Sequence, residues 1–64
     1  MRTGKVKFFN EEKGYGFITD DATGKDIFVH VSGLVNKIQE NDQVSYDVEE
    51  SPKGLNAVNV KVIR

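Results

Sequence analysis

Lys13-Gly14-Tyr15-Gly16-Phe17-Ile18, followed by Asp26-Ile27-Phe28-Val29-His30, is the stretch on which the fold turns. Residues two apart in a strand share a face. Tyr15 and Phe17 therefore point one way, and Gly16 and Ile18 the other. In the next run Phe28 and His30 share a face, opposite Ile27, Val29 and Val31. The aliphatic set reads as a core face. Tyr15, Phe17, Phe28 and His30 are left as one aromatic set on the outside of the same sheet. Cross-strand aromatic pairs also serve as ordinary sheet stabilisers, but a chain of 64 residues has no further layer to cover them. A contiguous apolar patch left in solvent marks a binding surface.

Outward from this pair of strands the pattern repeats. Lys5 to Phe9 precedes it, ended by the polar turn Asn10 to Gly14. The turn Asp20 to Gly24 joins the two central strands. Gln43 to Glu49 alternates Val44, Tyr46 and Val48 with polar residues, and Leu55 to Ile63 alternates Val58, Val60 and Val62 with Asn59 and Lys61. Period-two alternation of β-branched residues predicts half-buried strands. The polar stretch Val35 to Asp42 predicts a loop with a helical turn. Five short strands in one domain spanning residues 1–64 predict an all-β, five-stranded antiparallel OB-type barrel, since closure removes exposed sheet edges. An SH3-like barrel is the alternative. Gly14, after the polar turn, is expected at positive φ. Gly16, inside a strand, predicts close backbone approach or sharp curvature.

Composition narrows the function classes. The chain has no cysteine, which removes disulfides and thiolate metal sites. No apolar run matches a signal peptide or membrane span, so a cytoplasmic protein without membrane contact is expected. Formal net charge is −1, which argues against whole-domain attraction to nucleic acid. The distribution is uneven, however. Residues 1–10 carry Arg2, Lys5 and Lys7 and no acid, while acids gather at Glu11-Glu12, Asp20-Asp21 and Glu40 to Glu50.

An aromatic platform suits an unpaired strand. Side chains two apart lie about 6.6–6.8 Å from one another, a spacing for splayed bases. Every base has a π-face, and stacking contributes about 1–3 kcal/mol per base with little regard to sequence. Lys7 and Lys13 flank the aromatic run and supply backbone contacts, with Lys5 and Lys53 as further candidates. His30 is the only histidine; without cysteine partners it makes a poor metal site, and no nucleophile accompanies it. A stacking or hydrogen-bonding role is expected. The chain is expected to be no enzyme and to need no cofactor or metal. A small barrel that meets another protein through the aromatic patch is the competing reading.

Gly4 to Asn10, Lys13 to Ile18 and Asp26 to Ser32 resemble, in order and spacing, the first three strands of the bacterial cold-shock proteins. Lys13 to Ile18 is similar to the family's first ribonucleoprotein motif and Ile27 to His30 to its second. Lys53-Gly54 and Ala57 to Val60 resemble its last strand. The resemblance implies an OB-type barrel, binding of pyrimidine-rich single-stranded RNA and DNA, and RNA chaperone or antitermination activity; a monomer is expected. It implies Lys7, Phe8, Lys13, Tyr15, Phe17, Phe28 and His30 as binding residues, with Phe9 and Lys53 behind them. Strict alternation would put Phe8 with Val6 in the core. The resemblance implies the outside, through a bend in the first strand. The family usually carries Trp where this chain has Phe8, and often Phe at Val31; the loop after Ser32 is short and lacks an aromatic. These departures imply a platform with fewer stacking surfaces.

Overall fold

The computed structural model describes residues 1–52 and 54–63. Its strands are β1 (Arg2–Asn10), β2 (Tyr15–Asp20), β3 (Asp26–His30), β4 (Gln43–Ser51) and β5 (Gly54–Val62). They close into a barrel in the order β1-β2-β3-β5-β4, with β1 returning to β4. The expected five-stranded barrel is therefore present, with one difference. Four of the five pairings are antiparallel, whereas β3 and β5 run parallel through Phe28↔Asn56 and Val29↔Ala57. The reason is topological: strand direction cannot alternate around a closed ring with an odd number of members.

The core consists of Val6, Ile18, Ile27, Val29, Ile38, Val44, Tyr46, Ala57 and Val60. Two irregularities decide which residues reach it. In β1 the register moves from Val6↔Ile18 to Phe8↔Phe17, so Lys7 is an extra residue opposite β2. In β5 Lys61 pairs with Ser45 but Val58 with Asp47, and Asn59 sits at φ 54°. Such a bulge resets the alternation of its strand. Val58, expected beside Val60 and Val62, is consequently half-buried outside the core cluster, and Ala57 takes the inward position.

The segment after β3 also differs from expectation. Val31 does not continue the strand but opens a 3-10 turn, Val31–Gly33, which His30 caps by accepting the Ser32 N–H at Nδ1. The helical turn expected within 35–42 lies here instead. The loop beyond it is not merely polar connection, because Ile38 plugs the barrel. Its backbone is tied down by Val35 N–H to Val60 O, Asn41 N–H to Val6 O and Val6 N–H to Asp42 O, each 2.8–2.9 Å.

Gly14 adopts φ 74°, as its place after the turn predicts. At Gly16 a Cβ would stand 2.3 Å from the Phe8 carbonyl oxygen and 2.7 Å from Phe9 Cδ1. The missing side chain lets the Phe9 ring lie across β2. Substitution Gly16→Ala must shift the backbone, and overpacking of this kind costs about 1–3 kcal/mol. A lower urea midpoint is the expected outcome; an unchanged one would contradict this packing.

Asp20, read from the sequence as part of a turn, is the last residue of β2 and is only 2% exposed. Its carboxylate accepts from Ala22 N–H (3.1 Å), Thr23 Oγ1 (3.2 Å) and Arg2 Nη1 (2.8 Å). The Ala22 bond, opposed by burial and assisted by Arg2 and Thr23, holds its pKa below the usual 3.8. The Tyr46 hydroxyl, buried without a hydrogen-bond partner of good geometry, is pushed up to about 12, first by burial and then by the Asp20 charge. A carboxyl whose pKa is lower folded than unfolded contributes stability above its unfolded value and loses it as pH falls through the folded one. Thermal midpoints should therefore decline below pH 3.8, more steeply in the wild type than in Asp20→Asn, which retains only the decline due to other carboxyls such as Asp26. Parallel declines would contradict it.

Candidate nucleic-acid interface

The bulge at Lys7 turns Phe8 to the outside, where it stands directly opposite Phe17, itself opposite Phe28. Three phenylalanines thus form a row across β1, β2 and β3. Tyr15 faces His30 in a second row. Ring centroids are 5.5 Å apart for Phe8–Phe17, 5.8 Å for Phe17–Phe28, 5.9 Å for Tyr15–Phe28 and 6.4 Å for Phe8–Tyr15. Only Tyr15 and Phe28 are nearly parallel, at 18°; the rest meet tilted or edge-on. Edge-to-face contacts are favourable pairings of π-systems, so the rings brace one another. Phe8 is 36% exposed, His30 is exposed, and Tyr15, Phe17 and Phe28 are half-buried with part of each ring in solvent.

The polar groups are fixed locally. Because His30 Nδ1 accepts the Ser32 N–H and lies 2.9 Å from Ser32 Oγ, Nε2 is left as the outward ring nitrogen. Lys7 Nζ contacts Asp26 Oδ2 at 2.9 Å, and Thr19 Oγ1 donates to Asp26 Oδ1 at 3.0 Å. The Lys7 bond first, and Thr19 second, hold Asp26 below the usual carboxylate range. It is therefore ionised at neutral pH and balances much of the Lys7 charge. Lys13 lies exposed in the β1–β2 turn, its backbone N–H donating to Asn10 Oδ1 at 3.1 Å.

Not every candidate gathers on the platform. Phe9 packs against the core and lines a separate groove of about 370 Å³ with Val31, Leu34 and Val35. Lys53 lies outside the described residues. One residue was missed by the sequence reading: Leu55, 48% exposed, lines a cavity of about 530 Å³ with Phe17, Phe28, His30, Ser51 and Asn56. Its place beside Phe28 follows from the parallel β3–β5 pairing, which no local pattern announces; a lone leucine after Gly54 was the only signal. Among the described residues, no cluster of His, Cys, Asp and Glu is placed to hold a metal ion, and no helix is long and apolar enough to cross a membrane.

A closed five-stranded OB-type barrel with a braced aromatic outer face is thus the class that fold and site define. Residues 2–63 match the model of the 'Cold-shock' DNA-binding domain. The Major cold shock protein of Micrococcus luteus is 47% identical over 64 residues, covering 94% of this chain and 96% of that protein. Cold shock-like protein CspA of Shewanella violacea is 47% identical over 62 residues, covering 91% and 89%. Among solved structures, drosophila Unr CSD456 superimposes with a TM-score of 0.80 at 23% identity. That match covers 98% of this chain and 26% of the other, which supports the fold alone. The chain belongs to the cold-shock domain family.

Proposed function

We propose that this protein binds pyrimidine-rich single-stranded RNA and DNA by stacking unpaired bases on Phe8, Tyr15, Phe17, Phe28 and His30, with Lys7 and Lys13 contacting phosphates. The observation that carries the reading is the pair of aromatic rows across three strands, with adjacent centroids 5.5–6.4 Å apart. Bases in a duplex rise about 3.4 Å per step and hide their faces in the stack, so a platform at this spacing favours splayed, unpaired ones. The matched 'Cold-shock' DNA-binding domain supports the nucleic-acid partner, and the preference implied by the resemblance supports its pyrimidine bias. Phe9 and Lys53 stand behind these residues as further candidates.

The function follows from differential affinity. A ligand shifts an equilibrium only as far as it prefers one state, and a protein that takes single strands but not duplexes draws RNA hairpins toward the melted form. We read this chain as an RNA chaperone and transcription antiterminator of this kind, acting in the cytoplasm as a monomer, without cofactor or turnover.

Anisotropy titrations with matched single- and double-stranded oligonucleotides test the mechanism; equal affinities would refute it. Phe17→Ala and Phe28→Ala should each cost about 1–3 kcal/mol of binding, and the double variant should abolish it with the fold intact by circular dichroism. A wild type that ignores oligonucleotides altogether would favour the protein-interaction reading. Two to four phosphate contacts at about −0.7 each predict a slope of log K on log salt of roughly −1.5 to −3. A flat salt response would remove Lys7 and Lys13 from the interface.

A further inference from the structure

The cavity at Leu55 is not the end of the groove. A second cavity, of about 480 Å³, shares Phe17, Phe28 and Leu55 with it and continues to Arg2, Thr23 and Lys25 at the end of the barrel. The groove therefore runs from His30, past the edges of two platform rings and over Leu55, to two cations.

Two carboxylates also line that far end, and both are already engaged. Asp20 takes hydrogen bonds from Ala22, Thr23 and Arg2. Asp26 is held by Lys7 and Thr19. Arg2 gives Nη1 to Asp20 while half of its side chain stays exposed, which leaves further guanidinium N–H groups facing outward. Lys25 is exposed, and among the described residues no carboxylate pairs with it. Its backbone is nevertheless fixed. Lys25 N–H donates to Thr23 Oγ1 at 3.3 Å, and its carbonyl accepts from Asp20 N–H at 2.9 Å. An unpaired ammonium on an anchored backbone, beside an oriented guanidinium, is a place for an anion.

We propose that Lys25 and Arg2 form a phosphate subsite for a nucleic-acid strand that runs beyond the aromatic face, reached over Leu55. The subsite extends the footprint by the nucleotide that occupies the second cavity, whose volume is in the range of small-ligand sites, about 300–1,000 Å³. It rests on the stacking function proposed above. The aromatic rings contribute affinity and the subsite contributes length, so the two are separable.

Lys25→Gln is the variant to use, because removing Arg2 would strip a partner from buried Asp20. Lys61→Gln, on an exposed position of β5 paired with Ser45, is the control of equal charge change. With octathymidine, Lys25→Gln is expected to weaken binding by up to about five-fold, the scale of an exposed ion pair. It should also reduce the salt slope by about 0.7, while Lys61→Gln matches the wild type. A neutral methylphosphonate walked along the octathymidine should weaken wild-type binding at one linkage near an end and leave Lys25→Gln indifferent there. Binding that Phe17→Ala weakens, but that Lys25→Gln leaves as tight and as salt-dependent as Lys61→Gln, overturns the subsite alone. A wild type that binds no oligothymidine overturns the stacking function and the subsite with it.

Discussion

One extra residue in β1 governs the surface of this barrel. Before Lys7 the strand sends Val6 inward against Ile18; after it, Phe8 faces outward against Phe17. Without the bulge Phe8 would follow Val6 into a core that Ile18, Val44 and Tyr46 already fill, and the outer row would lose a member. The bulge is supported from β2, where Gly16 lacks the Cβ that would collide with the Phe8 carbonyl and the Phe9 ring. A glycine and an unpaired residue on facing strands thus allow one strand to serve the core with Val6 and Phe9 and the surface with Phe8.

Closure imposes the second constraint. Five strands in a ring require one parallel contact, and here it joins β3 to β5 over a short register. That contact sets Asn56 beside Phe28 and Leu55 at the margin of the aromatic face. The groove along that margin is a product of topology, since it lies where the sheet closes with least pairing. The loop after the 3-10 turn performs the work of a sixth element. It hydrogen-bonds to β1 and β5 and contributes Ile38 to the core.

Local alternation made Tyr15, Phe17, Phe28 and His30 legible as one face, because β2 and β3 are regular and pair without a shift. It failed wherever a bulge resets the count: Phe8 could be placed outside only by resemblance, and Val58 was assigned to a core that Ala57 in fact occupies. It failed again where position depends on a distant strand. Ile38 looked like a single apolar residue in a polar loop, Asp20 like a turn residue, and Leu55 like the beginning of a strand. The burial of Ile38 and Asp20, and the exposure of Leu55, are settled by partners far along the chain, which no window of a few residues contains.

The charge pattern follows from the same geometry. A domain of net charge −1 cannot hold a polyanion by its overall field. Three of its cations have named partners: Lys7 against Asp26, Arg2 against Asp20, Lys37 against Glu11 at 3.5 Å. The two exposed pairs, Lys7–Asp26 and Lys37–Glu11, are worth little as stabilisers, with a median of about 0–1 kcal/mol, so Asp26 and Glu11 are weak rivals to a phosphate brought close by stacking. Under the proposed function, stacking supplies the affinity and the lysines the register. Lys25, anchored by its backbone, joins Lys5, Lys13 and Lys61 as lysines without a carboxylate partner among the described residues. At Lys7 and Arg2 a phosphate must displace an acid; at Lys25, as at Lys13, it meets an ammonium without such a competitor among the described residues.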